Sequence, residues 1–162
     1  MTIAVGDRIP EATLQVMGEN GPHRYHHRMK SSPARSVVLF AVPGAFTPGL
    51  LDDAPARLRR QRRQDPATSG VDTIACLSVN DAFVMDAWGK AQNAENILML
   101  ADGNGDFTSD LGLELDGRGF GMGVRSQRYA MIVDDGTVTL LNVEARPVAS
   151  TSAPRKTILA AL

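Results

Sequence analysis

The chain is nearly devoid of cysteine: its 162 residues include one, Cys76. A lone thiol excludes an intrachain disulfide and any cysteine-rich metal site. Charge of one sign is also missing. Seventeen Lys and Arg against eighteen Asp and Glu leave a net charge of −1, which gives no ground for expecting nucleic acid or an anionic membrane as a partner. No apolar run approaches the roughly 20 residues a membrane helix needs. The opening Met1-Thr2-Ile3-Ala4-Val5-Gly6-Asp7 has neither a basic n-region nor a long apolar h-region, so no secretory signal is expected. The expectation is a cytoplasmic protein, although an organelle form stripped of its transit peptide would read the same way. Hydrophobic content of 43% and charged content of 22% are ordinary for a globular protein. The length suits one domain, residues 1–162, with a self-sufficient core.

What is present alternates between two periodicities. Ser36 to Val42 is β-branched and apolar, and a helical stretch follows from about Leu50 to Arg63. Asp72 to Val79 reads as a buried strand, after which Asn80 is expected to cap a helix from Asp81 to about Gln92, with Phe83, Ala87 and Ala91 on one face. Ile97 to Ala101 predicts a short buried strand and Asp106 to Leu115 a weaker helix. Tyr129 to Val133 and Thr137 to Val143 flank Asp135-Gly136, a two-residue hairpin signal. A closing helix is expected over Arg155 to Leu162. Strands alternating with helices, then a hairpin and a last helix, give an α/β layered fold with a mixed sheet.

Val42-Pro43-Gly44-Ala45-Phe46-Thr47-Pro48 follows the first of these strands directly. A strand, a tight Pro/Gly turn and a helix start bring backbone N–H groups and a Thr hydroxyl toward one point, which suits an anion or a thiolate. The run resembles the active-site motif of the peroxiredoxins, in the peroxiredoxin-5-like branch, where the loop reads Pro-Gly-Ala-Phe-Thr-Pro-x-Cys. Counted along this chain, the peroxide-reducing cysteine falls at residue 50, and residue 50 is Leu50. The resemblance continues through Ala75-Cys76-Leu77-Ser78-Val79-Asn80-Asp81-Ala82-Phe83-Val84, then Trp88-Gly89. Gly123-Val124-Arg125-Ser126-Gln127-Arg128-Tyr129 and Leu141-Asn142-Val143-Glu144 extend it to the C-terminal half.

The resemblance implies a thioredoxin-like fold, a mixed central sheet flanked by helices, in a thiol peroxidase that reduces hydrogen peroxide and alkyl hydroperoxides. It implies a reductant such as glutathione, glutaredoxin or thioredoxin, a homodimer, and no metal or organic cofactor. By the same resemblance Thr47 hydrogen-bonds the thiolate and the peroxide, Pro43 shields the site from water, and Arg128 lowers the thiol pKa and orients the peroxide. The alternative is that Arg128 forms a surface ion pair and Arg125 serves the pocket. Leu50 has no lone pair, no titratable proton and no route to sulfenic acid, so peroxide reduction at this position is not expected. Cys76, inside an apolar strand, reads as a buried structural thiol. The family's resolving cysteine, where there is one, falls near Ser152, so that role is empty too.

Other motifs are weak. Asp102-Gly103-Asn104-Gly105-Asp106 begins like a calcium loop, but Phe107 takes the Gly position and Leu113 the closing Glu, so a polar turn is expected. Gly117 to Gly123 lacks dinucleotide spacing and a preceding strand, and reads as a flexible loop.

Departures from the family fall in three blocks, about His23 to Arg35, Gly49 to Ser69 and Ala145 to Thr157. They hold all three His and ten of the fourteen Arg. Such a switch toward Arg, Pro, Ala and Ser is what a GC-rich gene yields out of frame. Back-translating Leu50 to Arg59 and shifting by one base permits Cys-Ser-Thr-Thr-His-Leu-Pro-Gly-Phe, close to the family's continuation. Two-base shifts from Arg28 and in the last block also permit family-like runs. The blocks therefore read as compensated frame errors. The competing reading is a catalytically dead relative kept as a structural or binding module.

Overall fold

A computed structural model of the chain describes residues 1–26, 36–47 and 71–144, without the side chains of His26 and Asp72. The expected helices Leu50 to Arg63 and Arg155 to Leu162, Leu50 itself, and the three foreign blocks apart from residues 23–26 lie outside the described residues.

Nine strands are described: β1 Thr13–Gly18, β2 Gly21–His26, β3 Ser36–Val42, β4 Val71–Ser78, β5 Leu98–Ala101, β6 Glu114–Asp116, β7 Val124–Ser126, β8 Tyr129–Asp134 and β9 Thr137–Val143. Helix α1 spans Ala82–Ala91 and the short α2 spans Asp106–Asp110. Seven of the strands form one sheet in the order β2-β1-β5-β4-β3-β8-β9, and β6 pairs with β7 apart from it. The central trio β5-β4-β3 is parallel, β1 and β8 join its two edges antiparallel, and β9 pairs antiparallel with β8, so the sheet is mixed as expected.

β3 sits mid-sheet and is covered on both faces, which is why Val37 to Val42 is continuously apolar instead of alternating. Its odd positions Leu39 and Ala41 join Ala75, Leu77, Tyr129 and Met131 in one core, which Phe107 and Leu111 close. Its even positions Val38, Phe40 and Val42 join Cys76 and Ala130 in a second core beneath Met85 and Trp88 of α1. The period of two along the strand thus divides one apolar run between two cores.

Four expectations are corrected. The sequence reading had no strand before Ser36, yet β1 and β2 form an antiparallel hairpin with Val16 opposite His23 and Thr13 opposite His26. The turn is made at Glu19-Asn20-Gly21, where Gly21 takes φ +103°, a conformation that costs glycine little. Four residues of the first foreign block therefore stay in register. Second, α1 is capped by Asp81, whose carboxylate accepts the Val84 N–H at 2.9 Å, while Asn80 is engaged elsewhere. The helix buries Ala82, Met85, Trp88 and Gly89, so the Phe83 face points outward. Third, the helix expected over Asp106 to Leu115 stops at Asp110, because Gly112 turns left-handed at φ +65°, and Glu114–Asp116 becomes β6. The Met1 carbonyl lies 2.7 Å from where a Gly112 Cβ would stand, so no side chain fits there. Fourth, the expected flexible loop Gly117 to Gly123 is a tight hairpin connection between β6 and β7, containing a 3-10 turn over Arg118–Phe120 and closed by Gly117 N–H donating to Gly123 O at 2.8 Å.

Leu39→Ala removes a fully buried side chain at the centre of the first core. It should lower unfolding free energy by about 2–5 kcal/mol in urea titrations.

Candidate active site

Parallel pairing of β3 with β4 sets Val42 opposite Ser78, so both chains leave the sheet at the same end. That is the end where ligands collect in open α/β sheets. The Pro43–Thr47 loop therefore emerges beside Val79-Asn80. The Asn80 carboxamide oxygen accepts the Ala45 N–H at 2.9 Å and the Ser78 hydroxyl at 2.8 Å, tying the two exits together. Pro43 and Gly44 are buried, whereas Phe46 is 61% exposed. Phe46 takes φ +60°, a strained conformation for a bulky residue and of the kind found at functional loops.

Thr47 turns its hydroxyl back into the loop and donates to Gly44 O at 2.6 Å. With its proton so occupied, the oxygen offers lone pairs outward, which suits accepting a hydrogen bond from an incoming O–H. Leu50, expected at the floor of this pocket, lies outside the described residues.

The two arginines differ in their partners. In the antiparallel pairing of β8 with β3, Ala41 is opposite Tyr129, so Arg128, the residue before, flanks Val42 at the base of the loop. Strand alternation sends Tyr129 into the first core and Arg128 to the face shared by Val42, Cys76 and Ala130. Its side chain is only 14% exposed, and its Nε lies 3.1 Å from Glu144 Oε2 in an ion pair. Burial pulls the guanidinium below its ordinary pKa, opposed first by Glu144 and then by Cys76. Arg125 also reaches the loop: its Nη1 lies 3.7 Å from the position of a Gly44 Cβ. The sequence names Arg125 only as the alternative to Arg128.

Cys76 is fully buried in the second core, opposite Phe40. Burial pushes its thiol pKa far up, and the nearby Arg128 pulls back only weakly. A thiol held neutral and out of solvent is no nucleophile, in agreement with the structural role expected of it. The Asp102 carboxylate accepts the N–H groups of Phe107 at 3.2 Å and Thr108 at 2.9 Å, so the calcium-like stretch is a polar turn that starts α2. Among the described residues no His, Cys, Asp and Glu cluster could hold a metal ion. A cleft of about 510 Å³ opens between α1 and the far end of β4, lined by Met17, Ile74, Lys90 and Met99, away from the loop.

Comparison with known proteins places this arrangement. Residues 4–158 match the Redoxin family model. The chain is 43% identical over 148 residues to peroxiredoxin-2E, chloroplastic, of Arabidopsis thaliana, covering 88% of this chain and 62% of that protein. It is 42% identical over 145 residues to peroxiredoxin-2B of the same plant, covering 88% of each. Reduced Prx3 from Vibrio vulnificus, solved in complex with H2O2, matches with a TM-score of 0.79 and 52% identity over 99% of each chain. Peroxiredoxin 5 from Alvinella pompejana matches with a TM-score of 0.72 and 36% identity, over 88% of this chain and 90% of that one. The architecture is thus a redoxin on a thioredoxin-like fold. The chain belongs to the peroxiredoxin family.

The buried Cys76 makes stability depend on pH. Its folded pKa is raised, so the stabilisation is complete below the ordinary thiol value of 9.0 and declines as pH rises above it. Past that value the unfolded chain gives up a proton that the folded chain keeps, which costs up to about 1.4 kcal/mol per pH unit. Tyr129, fully buried and shifted upward by that burial, adds a second loss above its ordinary 10.0. Urea unfolding measured from pH 8 to 10 should show the decline, and Cys76→Ala should flatten it between 9 and 10.

Proposed function

We propose that this chain keeps the peroxide pocket of a thiol peroxidase but lacks its nucleophile, and so is inactive as written. The observation that carries this reading is the Pro43–Thr47 loop, with Thr47 turned into it and Arg128 at its base, in a chain whose one thiol is sealed in the core. In the family's reaction a thiolate sulfur attacks one peroxide oxygen and the O–O bond breaks. The leaving oxygen takes a proton to become water or an alcohol, and sulfur becomes sulfenic acid, which a thiol then reduces. Pro43, Thr47 and Arg128 are assigned to shield, orient and stabilise charge in that step. Leu50 supplies no electron pair for it.

The substrates of such a site are hydrogen peroxide and alkyl hydroperoxides, with glutathione, glutaredoxin or thioredoxin as reductant and no organic cofactor or metal. We assign the chain to a single domain, 1–162, and to the cytoplasm. Among the described residues no helix is long and apolar enough to cross a membrane. Neither nucleic acid nor a membrane is a partner in this reading. A homodimer is supported by the large aromatic side chains of Phe46, Phe83 and Phe120, which are 61%, 65% and 75% exposed. Phe120→Glu should shift the protein toward monomer in sedimentation velocity; an unchanged mass would remove this face from the interface.

The runner-up reading, a dead relative serving as a structural or binding module, is favoured by Leu50 itself. Compensated frame errors in 23–35, 49–69 and 145–157 are the proposed origin of that residue. Protein made faithfully from this sequence, its peptide Leu50 to Arg57 verified by tryptic mass, should consume no peroxide with a thiol reductant. Leu50→Cys should restore part of the activity and no more, because the segment after residue 50 stays foreign. Near-normal turnover of the unmutated chain, lost on Cys76→Ser, would make Cys76 the catalyst and overturn the assignment.

A further inference from the structure

We propose that Arg125 is a positioning residue for the active-site loop, acting with Asn80 to hold Gly44 and Ala45 against the β6–β7 hairpin. The inference rests on reading that loop as a peroxide pocket. Arg125 projects from β7 and donates from Nε to Met122 O at 2.7 Å and from Nη1 to Val79 O at 2.6 Å. Val79 directly precedes Asn80, whose side-chain oxygen accepts the Ala45 N–H. One guanidinium therefore fixes the hairpin on one side and the β4–α1 turn on the other, and that turn holds the loop.

The same side chains surround Gly44. A Cβ there would lie 3.1 Å from Thr47 Cγ2, 3.7 Å from Arg125 Nη1 and 3.7 Å from Asn80 Oδ1. Arg125, Asn80 and Thr47 thus line the side of Gly44 that a Cβ would face. Among the described residues no carboxylate forms an ion pair with Arg125, in contrast to Arg128, which pairs with Glu144. The two arginines divide the work. Arg128 presents its charge at the base of the pocket, and Arg125 directs its donors into backbone carbonyls. That second task needs a planar fork with donors at fixed angles, which a lysine does not offer.

Amide hydrogen exchange read by NMR on the unmutated chain and on Arg125→Met tests the clamp without any turnover. The Ala45 amide should exchange about tenfold faster in the variant, the loss of roughly one hydrogen bond's protection, while Leu39 and Leu77 amides keep their rates. If Arg125→Met loosens the whole fold, Arg125→Lys decides, since it keeps the charge and the stem but makes at most one of the two carbonyl bonds. An Ala45 rate equal to that of the unmutated chain in Arg125→Lys overturns the proposal. A second readout uses Leu50→Cys: the pH midpoint of thiol alkylation should move upward when Arg125→Lys is added, and an unmoved midpoint counts against the clamp. If Leu50→Cys alone shows no depressed midpoint, the peroxide-pocket reading fails, and the exchange rates still decide the role of Arg125.

Discussion

The parallel register of β3 on β4 governs everything at the functional end of this molecule. With Val42 facing Ser78, the two strands deliver their following loops side by side, and a single carboxamide, that of Asn80, spans the gap to Ala45. A slip of one residue would turn every side chain of β3 to the opposite face. It would exchange Leu39 and Ala41 for Val38, Phe40 and Val42 in the two cores. Burial on both sides makes that exchange costly, so the register is held by packing and the loop position follows from it. The antiparallel arrival of β8, with Tyr129 opposite Ala41, then carries Arg128 to the base of the same loop.

Alternation along these strands also separates chemistry from support. Arg128 and Cys76 share one face of the sheet, and Tyr129 occupies the other. The thiol is close enough to feel the guanidinium yet is enclosed by the second core, where desolvation dominates over that attraction. Proximity to a cation therefore does not make Cys76 reactive. Reactivity also requires an opening to solvent, which the loop end of the sheet provides and the middle of β4 does not.

Much of this was legible in the sequence, and the failures have physical causes. β3, β4, β5 and β8 were found to within a residue or so because buried central strands read as largely apolar runs, and the edge strand β9 because the Asp135-Gly136 hairpin signal precedes it. The β1–β2 hairpin was missed: Thr13-Leu14-Gln15-Val16 alternates over too few residues to stand out, and β2 contains Pro22 and the polar run His23, Arg24. Edge strands carry that kind of composition. The end of α2 turned on Gly112, where the chain start packs against the backbone, a tertiary contact that no local pattern announces. Asn80 was recognised as a capping residue of the right type, but its side chain bonds across to another strand's loop and leaves the cap to Asp81. For the site, Pro43, Thr47 and Arg128 came from family resemblance. The distinct engagement of Arg125 came only from coordinates, since the carbonyl oxygens it binds belong to Val79 and Met122, whose side chains carry no signature.

The sealing of Cys76 has a practical corollary for anyone handling the protein. Its thiol is fully buried while the fold is intact, so a folded sample should be silent toward maleimides and disulfide reagents. Any thiol labelling of native material would come from a cysteine the sequence does not contain. The fold thus gives a zero background against which a single adduct would reveal how residue 50 is really encoded.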